Sequence, residues 1–198
     1  MNNKNLLYKY RGIKSFKNFV DILINNRLYA AAYKDLNDPM EGQYYYAKGD
    51  LNSQLRRKIK DDKGNLRICA LSRKRNNMLL WSHYAEGHHG VTIAVELDRT
   101  RYDIRPIEYT GLAYLHSDQI EHDSAQTILS HKLDFWAYEE EERVFVNHVH
   151  FVDVTVKQII TGMSMSNADY GLIRDLILKI NPQIELIKAE TFMNEREV

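Results

Sequence analysis

Residues 132–146 read KLDFWAYEEEERVFV: an aromatic-rich turn, four glutamates from Glu139 to Glu142, Arg143, and the apolar run Val144-Phe145-Val146. Four adjacent carboxylates repel one another, so a chain ordinarily spreads such a run over a solvated helix face or a tail. Here aromatic residues crowd one side and a strand signal the other, so the stretch reads as the mouth of a β-strand. Period-2 alternation then puts Glu139, Glu141 and Arg143 on one face and Glu140 and Glu142 on the other. Carboxylates held beside aromatic surface are the kind whose pKa can be displaced and used. A solvated strand entrance with an internal ion pair is the plainer reading of the same residues.

Outward from this stretch the chain alternates short strands and helices without repeat or linker. Strand patterns cover residues 6–10, 28–32, 67–72, 90–97, 104–109, 151–156, 156–162 and 184–189. Helical spacing marks residues 15–25, with Phe16, Phe19, Val20 and Leu23 on one stripe, and residues 51–60, 77–84, 117–131 and 167–180. Asn37-Asp38-Pro39 is a turn, because Asn and Asp bond their own backbone and Pro fixes φ, and residues 61–65 are an exposed loop. Strand-to-strand connections are short. The predicted class is therefore α+β, a mixed and mostly antiparallel sheet core flanked by helices, in a single domain over residues 1–198.

Lys and Arg number 27, as do Asp and Glu, so no global field draws the chain to nucleic acid or membrane. A local basic cluster remains in Arg67, Arg73, Lys74 and Arg75. The one cysteine, Cys69, excludes an internal disulfide, fits a reducing compartment, and reads as a buried thiol within Ile68-Cys69-Ala70-Leu71. The opening MNNKNLLYKYR lacks the apolar core of a signal peptide, and no run approaches the ~18 apolar residues of a membrane span. A cytoplasmic protein without a membrane partner is expected.

Three other clusters bear on chemistry. Leu36-Asn37-Asp38-Pro39-Met40-Glu41 sets two carboxylates around a rigid turn, either as an Asx-turn or as the polar rim of a cleft. Trp81 to Gly90, WSHYAEGHHG, holds three histidines, but no cysteine or second ligand pair stands at a metal-binding spacing and HExxH is absent, so no metal is expected. His148 and His150 share a strand face in this reading. Ser72 has no GxSxG elbow around it, which removes a serine hydrolase.

LLYKYR, LNDPMEG, ICALS, LLWSHYAEGHHGVTIAVE and the Lys132-Trp136-Glu139-Glu141-Arg143 block, in order over residues 6–162, resemble a family of bacterial and phage-associated proteins that carries only a domain-of-unknown-function label. More remotely, the order of elements is similar to the ADP-ribosyltransferase superfamily, in particular DarT-like toxins. The matching pieces are residues 8–11, the helix at 15–25, the strand at 28–32, Glu139 or Glu141 ahead of Val144-Phe145-Val146, and Ile159-Ile160. No Ser-Thr-Ser strand or His-Gly-Thr start is present. That resemblance implies NAD as substrate and a transferase or glycohydrolase acting as a toxin or phage-defence effector. Glu141 would stabilise the oxocarbenium-like state and Glu139 orient the acceptor, which could be nucleic acid, protein or water. Arg11 or Arg73 would grip the pyrophosphate and Trp81 or Tyr84 stack on nicotinamide, with Tyr10, His83 and His88 lining the cofactor site. Two other classes stay open: a non-catalytic ligand- or protein-binding module, and a nuclease holding Mg²⁺ among Asp38, Glu41, Glu139 and Glu141. Two structural expectations follow: Trp81 and Trp136 at least partly buried beside the acidic strand entrance, and Arg143 paired with Glu139, Glu141 or the 36–41 turn.

Overall fold

The computed structural model describes residues 5–116 and 124–189. In chain order it contains β1 (Leu7–Arg11), α1 (Phe16–Asn25), β2 (Arg27–Tyr29), β3 (Tyr44–Tyr46), α2 (Ser53–Asn65), β4 (Leu66–Ser72) and α3 (Met78–Tyr84). Then come β5 (Val91–Glu96), β6 (Asp103–Pro106), β7 (Ala113–Leu115), α4 (Ser124–Ile128), β8 (Glu141–Asn147) and β9 (Phe151–Asp153). β10 (Thr155–Thr161), α5 (Asn167–Ile180) and β11 (Glu185–Lys188) complete it. Seven strands form one open sheet in the order β11-β10-β5-β1-β4-β8-β6, mostly antiparallel and flanked by helices, which is the α+β class read from the sequence. The chain divides into two compact units, each built from separate segments.

The first unit comprises Met1–Leu28, Leu71–Asp98 and Asp153–Val198. β5 is its centre: residues from Val91 to Val95 are fully buried, as expected of a strand covered on both faces. It pairs antiparallel with β1, from Leu7↔Val95 to Arg11↔Val91, and with β10, which bulges between Val156 and Gln158. β11 adds in parallel to β10. α1 buries Phe19, Ile22 and Leu23 and ends at Asn26, whose left-handed φ of 48° is one that Asn tolerates. The Ser166 hydroxyl accepts from the Asp169 amide and starts α5, over the range that the sequence pattern marks.

The second unit comprises Tyr29–Ala70 and Arg99–Val152. β6 and β8 pair antiparallel with Ile104 opposite Val144 and Arg105 opposite Arg143. One apolar cluster joins Leu66, Ile68, Ala125, Leu129 and Phe145, and another joins Leu51, Ile59, Ala113, Leu115 and Ile128. Cys69 is buried, in keeping with the buried-thiol reading.

Several boundaries depart from the sequence pattern. Residues 61–65, read as an exposed loop, complete α2, because Lys63 turns inward: its Nζ donates to the Gly42 carbonyl at 2.6 Å and lies over the Tyr33 and Tyr44 rings. β3 and β7, unforeseen, are too short for a periodicity signal. Of the helix expected over 117–131, residues 124–128 are helical and 129–131 are not, while 117–123 lie outside the described residues. The 28–32 strand shortens to Arg27–Tyr29. Among the described residues no helix is long and apolar enough to cross a membrane.

Candidate functional site

A 3-10 turn over Asp134–Glu139 feeds the start of β8, and Glu140 joins them in the left-handed conformation, φ 40° and ψ 54°. Glu139 is therefore not on the strand, and simple alternation does not explain its facing. The reversal at Glu140 brings Glu139 and Glu141 together on one ammonium instead: Lys132 Nζ stands 2.7 Å from Glu139 Oε2 and 2.7 Å from Glu141 Oε2. Arg143, one pleat repeat beyond Glu141, donates from Nε to Glu141 Oε1 at 2.7 Å. Its other nitrogens grip Glu41 through Oε1 at 2.6 Å and Oε2 at 2.8 Å, a bidentate fork, and Nη1 also donates to the Leu129 carbonyl. The expectation for Arg143 is met twice over.

Glu41 arrives from the rigid turn. Asp38 accepts from the Met40 amide at 2.9 Å, an Asx-turn, and the Asp38 carbonyl accepts from the Glu41 amide. The acids considered as magnesium ligands thus meet differently: Glu41 and Glu141 converge on a guanidinium, while Asp38 serves its own turn. Among the described residues, no three His, Cys, Asp or Glu side chains are grouped as a metal site requires.

The five members Glu41, Glu139, Glu141, Lys132 and Arg143 are all buried, Arg143 only 1% exposed. Burial pushes the Glu141 carboxyl up, but Arg143 and Lys132 outweigh it and hold the group down at about 2. Burial works against the charge on Lys132, yet Glu141 and Glu139 raise its pKa above the ordinary lysine range. Arg143 is raised in the same way by Glu141 and Glu41 against its burial. Tyr109, whose hydroxyl oxygen accepts from the Glu141 amide at 2.8 Å, is pushed up to about 12, first by burial and then by Glu141 and Glu139. Trp136 is half-buried, with Lys132 Nζ 5.2 Å from its ring centroid, whereas Phe135 is exposed. Two buried polar atoms, Trp136 Nε1 and Ser130 Oγ, make no hydrogen bond among the described residues.

Glu142 faces away from this network, as alternation predicts, but it is not solvated: it is 2% exposed and pairs with Arg99 at 2.7 Å. Lys132 and Tyr109 carry no site role in the sequence reading. A lysine seven residues ahead of a glutamate gives no periodic signal, because a turn and not a helix closes the gap.

The remaining candidates belong to the first unit. The Tyr10 hydroxyl donates to the Lys74 carbonyl at 2.9 Å and accepts from the Asn77 amide at 3.1 Å. Its ring meets Trp81 edge-on at 5.3 Å, and the buried Trp81 indole donates to Asn76 Oδ1 at 2.9 Å. His88 stacks on Trp81 with centroids 6.1 Å apart, and its ring lies 3.4 Å from Ser82 Oγ. Tyr10, Trp81 and His88 are thus one packed group. His83 and Arg73 are exposed, and Tyr84 touches the His83 ring edge-on at 6.1 Å. Arg11 is half-buried, its buried Nε makes no hydrogen bond among the described residues, and burial lowers its pKa. Glu86, Gly87 and His88 are all left-handed, at φ 52°, 58° and 70°. This turn rests against neighbouring backbone at two glycines: a Cβ at Gly90 would strike the Arg11 carbonyl, and one at Gly162 the His88 carbonyl. His148 and His150 do not share a strand face: both follow β8, His148 at φ 56° and His150 stacked on Tyr29.

No family model, curated protein or solved structure matches the chain.

Proposed function

We propose that the protein consumes NAD, as an ADP-ribosyltransferase or NAD glycohydrolase of the toxin or phage-defence type, with Glu139 and Glu141 as its anionic element. One observation carries this reading: among the described residues, the three buried carboxylates of this network, Glu41, Glu139 and Glu141, face two buried cations, Lys132 and Arg143. Carboxylates fixed in place and held out of water by such a network are a preorganised electrostatic element, the kind that stabilises a developing positive charge. Breaking the nicotinamide–ribose bond sends the bonding pair out with neutral nicotinamide and leaves positive charge shared between C1′ and the ring oxygen. Water or an acceptor nucleophile then bonds to C1′ and loses its proton. A fixed carboxylate held out of water favours positive charge on C1′ and the ring oxygen over its ground-state place on the pyridinium ring of nicotinamide.

Both Glu141 oxygens are engaged, so Glu141 acts through its charge and through the positions it gives Lys132 and Arg143. Glu139 is left to orient the acceptor. Ser130 Oγ and Trp136 Nε1, which make no hydrogen bond among the described residues, add polar atoms suited to a ligand. The full engagement of Glu141 also supports the second reading, a binding module in which the network holds loops in place and nothing is turned over.

The test is nicotinamide release by the purified protein, with and without cell extract. Expected is turnover in the wild type and a loss on the order of 10²–10³ for Glu141→Gln with NAD affinity little changed. Exposed Glu140→Gln should retain activity, and thermal unfolding of each variant separates chemistry from misfolding. Absence of release under every acceptor condition leaves the binding module.

A further inference from the structure

The second unit holds an open cavity of about 320 Å³ that shares no residue with the acidic network. Its walls come from regular elements. The second half of α2 supplies Lys58, Asp62 and Asn65, α4 supplies Gln126, and the end of β8 supplies Asn147. His148 leaves β8 in the left-handed conformation, φ 56°, and its amide donates to the Asn65 carbonyl at 3.1 Å, which ties one wall to the other. The buried part of the lining is apolar: Leu66 and Ala125 belong to the core cluster with Ile68, Leu129 and Phe145. Packing and backbone hydrogen bonds thus set the shape before any ligand arrives.

The lining selects the ligand. The volume lies near the lower end of the roughly 300–1,000 Å³ of small-molecule sites, room for one ring and not for a dinucleotide. Lys58 and Asp62 answer each other at 2.6 Å, so a phosphate or carboxylate would have to compete with Asp62 for its cation. No Phe, Tyr or Trp lines the cavity among the described residues, so a nucleobase finds no stacking wall. Neutral hydrogen-bonding groups remain. The side chains of Asn65, Gln126, Asn147 and His148 enter no hydrogen bond or ion pair among the described residues. A carboxamide offers both donor and acceptor, as a hydroxyl does, so amides around one ring-sized space match a ring that bears several hydroxyls. Leu66 and Ala125 match the C–H face of the same ring. We propose that this cavity binds a single monosaccharide unit. The inference does not rest on NAD turnover and stands or falls separately.

NMR of the isotope-labelled protein tests it, with D-glucose, D-galactose, D-mannose and D-ribose added in turn, and with methyl glycosides, uridine, inorganic phosphate and acetate as further arms. Expected is that at least one sugar shifts the side-chain amide signals of Asn65, Gln126 and Asn147 saturably, with a Kd on the order of 1 mM, the scale for so small a ligand. Phosphate and acetate should leave those signals in place. A methyl glycoside that binds tightest identifies the end of a glycan chain, uridine the ribose of a nucleoside, and the free sugar a metabolite. Gln126→Leu and Asn147→Leu should each weaken binding about five-fold or more, the scale of one neutral hydrogen bond. Asn147 is exposed, so its variant should keep the wild-type unfolding midpoint and separates binding from folding. No saturable shift by any of these sugars at about 50 mM overturns the proposal. So does an equal response to phosphate or acetate, or a Gln126→Leu/Asn147→Leu double variant that binds like the wild type.

Discussion

Replacing Arg143 by alanine removes the group that bridges Glu41 to Glu141. The guanidinium is 1% exposed and donates to both oxygens of Glu41, to the Glu141 carboxylate and to the Leu129 carbonyl. With it gone, Glu41 loses its bidentate partner and Glu141 keeps Lys132, which it shares with Glu139. Breaking a buried pair from one side typically costs about 3–5 kcal/mol, because the abandoned charge keeps its desolvation penalty. In a chain of this length that lowers the midpoint by roughly 6–20 °C. Arg143→Lys should fall between wild type and alanine, since an ammonium cannot reproduce the fork. A variant carrying Arg143→Met and Glu41→Leu together should recover much of the loss, because it removes charge from both sides. Denaturant unfolding of the four proteins is the assay. An Arg143→Ala cost below about 1 kcal/mol, the value of an exposed pair, would refute the network as described.

Acid titration gives a second check. The Glu141 carboxyl is held at about 2 against an ordinary 4.5, so its contribution, about 3 kcal/mol, is complete above 4.5 and is lost as pH falls toward 2. Stability measured from neutral pH to pH 2 should fall more steeply in wild type than in Glu141→Gln; parallel curves would remove the assigned shift. Glu142→Gln weakens the Arg99 contact of a buried side chain and should cost about 1–2 kcal/mol in denaturant unfolding, where a solvated glutamate would cost nothing measurable. Two glycines should respond oppositely in the same assay. Gly171→Ala, inside α5 with open space around the new Cβ, should stabilise by about 0.5–1 kcal/mol, and Gly90→Ala, driven into the Arg11 and Ala85 carbonyls, should destabilise by about 1–3 kcal/mol.

The α+β class was legible because β5 and β10 carry runs of Val and Ile that only a buried strand uses, and because α5 shows helical spacing over its full observed length. The pairing of Arg143 with Glu141 was legible for the same reason: both stand on β8, where alternation is a covalent fact of the strand. Glu139 reached the predicted neighbourhood by another route, a left-handed residue at Glu140, and a glutamate in that conformation has no sequence signature. Glu142 was misjudged as solvated because a run of like charges says nothing about Arg99, 43 residues away in the chain. α2 outran its apparent end because the energy holding its last turn comes from Gly42, Tyr33 and Tyr44, outside the helix. Local patterns determined which apolar residues face inward. They did not say what an inward-facing lysine would meet.

The order of strands across the sheet sets a timetable for synthesis. β1 emerges first yet sits between β5 and β4, and β5 in turn needs β10, about 145 residues behind β1. At ribosomal rates of about 5–20 residues per second, β1 waits roughly 7–30 s before the last strands of its own unit exist. In the first part of that interval, until β4 and β5 have followed, its backbone groups and its buried residues Leu7, Tyr8 and Tyr10 have no sheet partners, which is the condition that recruits holdase chaperones and invites aggregation. Most pairings are also distant in sequence, so loop-closure entropy is spent before contacts return it, and folding belongs to the slow end of the range for domains of this size. The second unit, made of two blocks ending at Val152, can assemble its buried charges while the first still awaits its C-terminal strands.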